Sequence, residues 1–142
     1  MKGIVIRIGC LLCLLAPAAA VTNESITLQQ IMQGLRDSLV AITDGLLTDD
    51  FELVARAAHE IATHPQIPAD QVQRVAQELG PEMPVFKQFD TRVHDLSLAI
   101  GAAAEAQDRS AAISAYQEMI DGCLACHATY KERVAAVLND SE

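Results

Sequence analysis

Ile113-Ser114-Ala115-Tyr116-Gln117-Glu118-Met119-Ile120-Asp121-Gly122-Cys123-Leu124-Ala125-Cys126-His127-Ala128-Thr129-Tyr130-Lys131-Glu132-Arg133-Val134-Ala135-Ala136-Val137 is the stretch that decides the fold. Ile113, Tyr116, Ile120, Cys123, His127, Tyr130, Val134 and Val137 follow one another in alternating steps of three and four. That spacing keeps all eight on one side of an α-helix, where a strand would alternate by two. A single long helix with a narrow seam needs partner helices to cover it.

The rest of the chain supplies them. Leu28, Met32, Leu35, Leu39, Ile42 and Leu46 repeat the same step, and so do Phe86, Phe89, Val93, Leu96 and Ile100, with Ala103 behind them. A shorter segment carries Phe51, Val54, Ala58 and Ile61. Thr48-Asp49-Asp50 offers an N-cap to that second helix. His64-Pro65 ends it, because a residue before proline is pushed out of helical geometry. Pro68 to Leu79 reads as a short extra helix, closed by Gly80 with Pro81 beyond it. Pro84 suits the first turn of the third long helix and Asp108 can cap the fourth. Gly45, Gly101 and Gly122 interrupt helical patterns at about 1 kcal/mol each against alanine. The expectation is an all-α fold: an antiparallel up-down-up-down four-helix bundle, with the short extra helix between helices two and three.

Within the last seam stands Cys123-Leu124-Ala125-Cys126-His127. Two cysteines three apart with a histidine directly after the second form the attachment signature of a c-type haem. Each thiol adds across one vinyl group, so both sulfurs must reach one edge of the porphyrin. The next imidazole is then carried under the ring to ligate the iron. A bare CxxC would equally suit a zinc half-site, a redox dithiol or a disulfide. The histidine separates this run from those.

The N-terminus fits that chemistry. Lys2 and Arg7 precede an apolar run from Ile8 to Leu15, and Ala18-Ala19-Ala20 offers a small-residue cleavage site. The run is too short for a bilayer, which takes about 20 residues. Residues 1–20 read as a removed export signal and 21–142 as one haem domain. Cys10 and Cys13 lie inside the signal, and Leu14 stands where a second haem motif would need histidine. Cys123 and Cys126 are then the cysteines of the mature chain, both taken by the motif. The formal charge is −9, and losing Lys2 and Arg7 takes it to −11. Nucleic acid is a poor partner for such a surface. A redox protein with a basic patch suits it better, although solubility alone also explains the charge. No Ser/His/Asp set, phosphate loop or locatable pair of carboxylates suggests an enzyme. Asp49, Asp50 and Glu52 suit helix starts.

The whole mature chain resembles the cytochrome c′ family, the class II c-type cytochromes. The resemblance rests on Cys-Leu-Ala-Cys-His-Ala-Thr-Tyr-Lys (123–131) near the C-terminus and Leu-Gln-Gln-Ile-Met (28–32) on the first helix. It implies one covalent haem c, attachment outside the cytoplasm in a bacterial periplasm, and dimers formed in some relatives through the first two helices. In the low-spin kind a methionine on the first helix ligates the iron, and Met32 holds that place. By helix register Met32 also lies near the level of His127, whereas Met119 shares the helix of His127 and Met83 sits at the start of the third long helix. Plain core filling is the other reading of Met32. The resemblance further implies haem contacts for Gln29, Tyr130 and Lys131, with Arg133 a competitor for a propionate. His59, His64 and His94 read as surface residues. The expected function is single-electron transport between a redox donor and acceptor, with His127 and Met32 as axial ligands. The alternatives are a five-coordinate binder of nitric oxide or carbon monoxide, and a haem bundle serving within a larger redox complex.

Overall fold

The computed structural model describes residues 26–139, and residues 1–20, read from the sequence as an export signal, lie outside them with Cys10 and Cys13. The described chain is helical between short connections: α1 (Leu28–Thr48), α2 (Phe51–Ala62), α3 (Ala69–Leu79), α4 (Met83–Glu105) and α5 (Arg109–Asn139). The expected breaks hold. Asp50 caps α2 by accepting a hydrogen bond from the Leu53 amide, and Asp108 caps α5 through the Ala111 amide. Gly80 ends α3 with φ +48°, in the region that favours glycine, and opens a 3-10 turn that delivers Pro84 into the first turn of α4. One cap went unread. The hydroxyl of Thr27 accepts from the Gln30 amide, and the Gln30 side chain accepts in return from the Thr27 amide.

Four long helices pack in series, α1 on α2, α2 on α4 and α4 on α5, while α3 lies on α5. The α1–α2 turn is tight. A Cβ on Gly45 would stand 2.9 Å from the Asp50 carbonyl oxygen and 2.7 Å from a Val54 methyl, so glycine is required there. The core falls into two clusters. An upper one joins Ile42, Val54, Ala57, Ala58, Ile61, Ile100, Ala104 and Met119. A lower one joins Leu28, Val75, Leu79, Tyr130 and Val134, with Phe86 and Phe89 set edge-on to the Tyr130 ring.

The buried stripes are rotated from the expected seams. On α1 the buried positions are Leu28, Ile31, Ser38, Ile42 and Gly45, and on α5 they are Ala112, Met119, Gly122, Tyr130 and Val134. Met32, Ile113 and His127 are exposed, and Leu35, Leu39, Leu46, Ile120 and Cys123 are half-buried. The apolar stripe on each of these helices is therefore wider than the protein itself covers.

Candidate functional site

The uncovered strips of α1 and α5 face each other. Arg109 at the start of α5 donates to the carbonyl oxygen of Leu46 and pairs with Asp49. The Tyr116 hydroxyl donates to the carbonyl oxygen of Leu39 at 3.1 Å and lies 2.6 Å from the Thr43 hydroxyl. Leu28, at the start of α1, shares its cluster with Tyr130 and Val134. Position numbers fall along α1 as they rise along α5, so the two helices run in opposite directions. They meet through these side chains and have little of the close backbone packing that joins the other neighbours.

That register fixes the height of the motif. Seven residues back from Leu39 is Met32, and seven on from Tyr116 is Cys123. Eleven back from Thr43 is again Met32, and eleven on from Tyr116 is His127. At 1.5 Å per residue the two helices keep step over that length. Helical phase agrees, since residues seven or eleven apart return to nearly the same side. Met32 therefore stands on the α5-facing strip of α1, level with the turn that carries Cys123 and His127. It is 39% exposed, which does not match a side chain serving only to fill the core.

The two thiols straddle the junction of the core clusters. Cys123 packs against the upper cluster and Cys126 against the lower. Burial pushes both thiols above their ordinary range, and for Cys126 the neighbouring Cys123 and Asp90 add to the shift. A redox dithiol depends on the opposite, a thiol shifted down toward neutrality. Half-buried thiols three residues apart, with an imidazole directly after the second and a thioether across the gap, fit the attachment points and the iron ligands of a c-type haem. The apolar strips of α1 and α5 are suited to its porphyrin.

Other residues take different places. Tyr130 is buried between Phe86 and Phe89 in the lower cluster. Lys131 and Gln29 are exposed, each one turn from His127 or Met32 along its own helix. Arg133 is already engaged: its guanidinium donates to Glu82 at 2.9 Å and Glu78 at 3.1 Å, tying α5 to α3 and the turn before α4. Those two carboxylates raise its pKa further. Gly122, next to the motif, faces α4 rather than α1, with Arg92 and Val93 the nearest atoms a Cβ would meet. His94 pairs with Asp95 on its own helix, His64 approaches Asp90, and His59 is exposed. Sequence reasoning missed Gln71, whose side chain accepts from the Leu28 amide at 2.8 Å and draws α3 to the foot of α1. A groove of about 390 Å³ between α1 and the end of α2 is lined by Ile31, Leu35, Ser38, Glu60 and His64 among others.

No family model, curated protein or solved structure matches this chain.

Proposed function

We propose that this chain is an exported monohaem cytochrome of the class II kind, a periplasmic carrier of single electrons on an antiparallel up-down-up-down bundle. What supports the reading is helix register: counted from the contacts of Tyr116 with Leu39 and Thr43, Met32 of α1 and the CxxCH turn of α5 fall at one height on facing strips. Cys123 and Cys126 would hold the haem by thioether bonds, and His127 from the motif and Met32 from α1 would ligate its iron. When bound, the haem supplies an iron that changes by one electron, and a histidine–methionine pair favours the ferrous form relative to two histidines.

The remaining residues tune and protect that site. Apolar side chains of α1 and α5 keep water from the porphyrin faces. The lower cluster, closed by α3, holds the end of α5 that follows the motif. Gln29 and Lys131 stand at the solvent edge of the gap, where a propionate can find a polar or cationic neighbour. With His127 and Met32 both holding the iron, a bound haem would have no position free for a substrate.

The test is an optical spectrum of the purified protein with and without carbon monoxide, beside its Met32→Ala variant. The intact mass should exceed that of the mature chain by one covalently bound haem. The wild type should be low-spin and slow to take up carbon monoxide. Met32→Ala should be high-spin and bind it at least tenfold faster, because no iron–sulfur bond then has to break. A wild type that is already high-spin and fast would replace electron transport with gas binding. A mass without haem, from cells able to attach it, would end both readings.

A further inference from the structure

His64 and Asp90 reach the level of the motif from two further helices. The Glu60 carboxylate of α2 accepts from the Ser38 hydroxyl of α1 at 3.1 Å. One turn on from Glu60 stands His64, and one turn back from Ser38 stands Gly34, two residues from Met32. Both line the same groove. On the other side, α4 and α5 run antiparallel, since Arg92 pairs with Glu118 while Phe86 meets Tyr130. A Cβ on Gly122 would stand 3.9 Å from Arg92 and Val93. One turn on from Gly122 is Cys126, where α4 has come back to Phe89 and Asp90. Cys126 and Phe89 pack on the same cluster, and the Asp90 carboxylate is among the groups that push the Cys126 thiol up.

His64 is set to take a proton there. Its Nδ1 lies 2.8 Å from the Pro65 carbonyl oxygen. A carbonyl only accepts, so that nitrogen carries a proton. Nε2 is then the basic nitrogen, 3.9 Å from an Asp90 carboxylate oxygen. With Nε2 bare, a lone pair faces a carboxylate; with Nε2 protonated, the two form an ion pair. The other charged groups around the imidazole are Glu60, held by Ser38, and Asp37, held by Arg36, both on the groove. Lys87 stands one turn before Asp90 on α4. The His64 side chain is 26% exposed, so it exchanges protons with water without a relay.

We infer that His64, paired with Asp90, is a proton-binding site coupled to the haem iron, so that this carrier takes up a proton with its electron. The inference rests on the cytochrome reading above. His64 binds a proton from water at Nε2 as one electron reaches the iron from the redox donor, and releases it as that electron passes on. No bond between heavy atoms forms or breaks, and the proton offsets part of the charge that the electron adds. Asp90 is the shared neighbour of the imidazole and of the Cys126 attachment point. Both side chains are partly in water, and charges more than about 8 Å apart are largely screened at physiological salt. The coupling is therefore modest and grows as salt is removed.

The experiment follows the purified, haem-loaded protein between about pH 5 and 8, the range in which histidine changes charge. The reduction potential is measured at each pH, and the His64 ring is titrated by proton NMR in the ferrous and the ferric protein. The ring should bind its proton at least about threefold more tightly in the ferrous state. At about 59 mV per tenfold for one electron, that converts to a potential about 30 mV lower at the alkaline end. His64→Gln should abolish this fall and leave the optical spectrum unchanged. Asp90→Asn should move the fall to lower pH, because the imidazolium loses its partner. Equal proton affinity in the two states would overturn the inference. So would a fall that survives His64→Gln, which would assign the proton to a propionate or another histidine, or a fall that Asp90→Asn does not move. Mass and optical spectrum are read on the same sample. A chain without haem removes both readings, whereas a haem protein whose potential ignores His64 removes only this one.

Discussion

Above the motif the core is aliphatic and drawn from α1, α2, α4 and α5: Ile42, Val54, Ile61, Ile100 and Met119 are each buried to within a few per cent. Below it the core is aromatic and peripheral, made of Tyr130 with Phe86 and Phe89, and closed by α3 through Val75 and Leu79. The upper cluster is complete in its own side chains, and Gly45 lets α1 and α2 come together within it. The lower cluster borders the strip of α1 where Met32 is exposed. Van der Waals attraction needs atoms on both sides of a surface, so a wall facing open space loses that share of its packing. One half of the bundle is thus expected to hold without a cofactor, while the other depends on what fills the gap.

The largest effect that can break this comparison comes from removing the attachment. Cys123→Ala with Cys126→Ala should leave α2 and the upper parts of α4 and α5 protected from amide hydrogen exchange. It should lower protection at least tenfold in α3, at the foot of α1 and beyond Tyr130 in α5, because local stability follows buried contacts. Hydrogen exchange read by mass spectrometry on the wild type and the double variant measures it. Equal loss in both halves would show a single cooperative core and remove the distinction.

The upper half can be broken on its own at Gly45. Gly45→Ala forces its Cβ against the Asp50 carbonyl and the Val54 methyl. Overpacking of this kind costs about 1–3 kcal/mol, partly offset by about 1 kcal/mol of better helix propensity. Urea unfolding should show a net loss of stability with the haem spectrum unaltered. A stability gain would mean that the α1–α2 turn yields easily and that the upper cluster is less tightly set than its distances indicate.

Sequence and structure agree best where the physics is local. Alternating steps of three and four marked every long helix, and Asp50, Asp108, Gly80 and Pro84 marked their ends, because caps and backbone restrictions act within one turn. Burial was less legible. Ser38 and Gly45 are buried on α1 and Met32 is not, although Met32 is the more apolar residue. A stripe of apolar residues states how wide a helix face is, but its centre depends on which neighbours arrive. At the motif, the spacing of Cys123, Cys126 and His127 is itself the basis of the haem reading. The opposing position of Met32 needed the contacts of Tyr116 with Leu39 and Thr43, which lie more than seventy residues apart in the chain. Arg133 illustrates the same limit. Its charge suggested a propionate, and its partners Glu78 and Glu82 come from elements whose placement no local pattern encodes.

The smallest effect sharpens the comparison at its boundary. Gly122 adjoins Cys123, and a porphyrin lying against its backbone would be one reason for a glycine there. In the structure it is buried toward α4, where a Cβ would stand 3.9 Å from Arg92 Cδ and a Val93 methyl, an ordinary contact distance. Gly122→Ala should therefore fit without displacement. It should raise stability by about 0.5–1 kcal/mol, since alanine restricts the unfolded chain and favours helix. Haem attachment and the optical spectrum should be unchanged, because the substitution points away from the α1-facing strip that carries Cys123 and His127. Thermal unfolding of wild type and variant, each with its spectrum recorded, measures both quantities at once. A variant that lost haem or shifted its spectrum would place the porphyrin against the α4 side of α5. The gap beside Met32 would then no longer be the site.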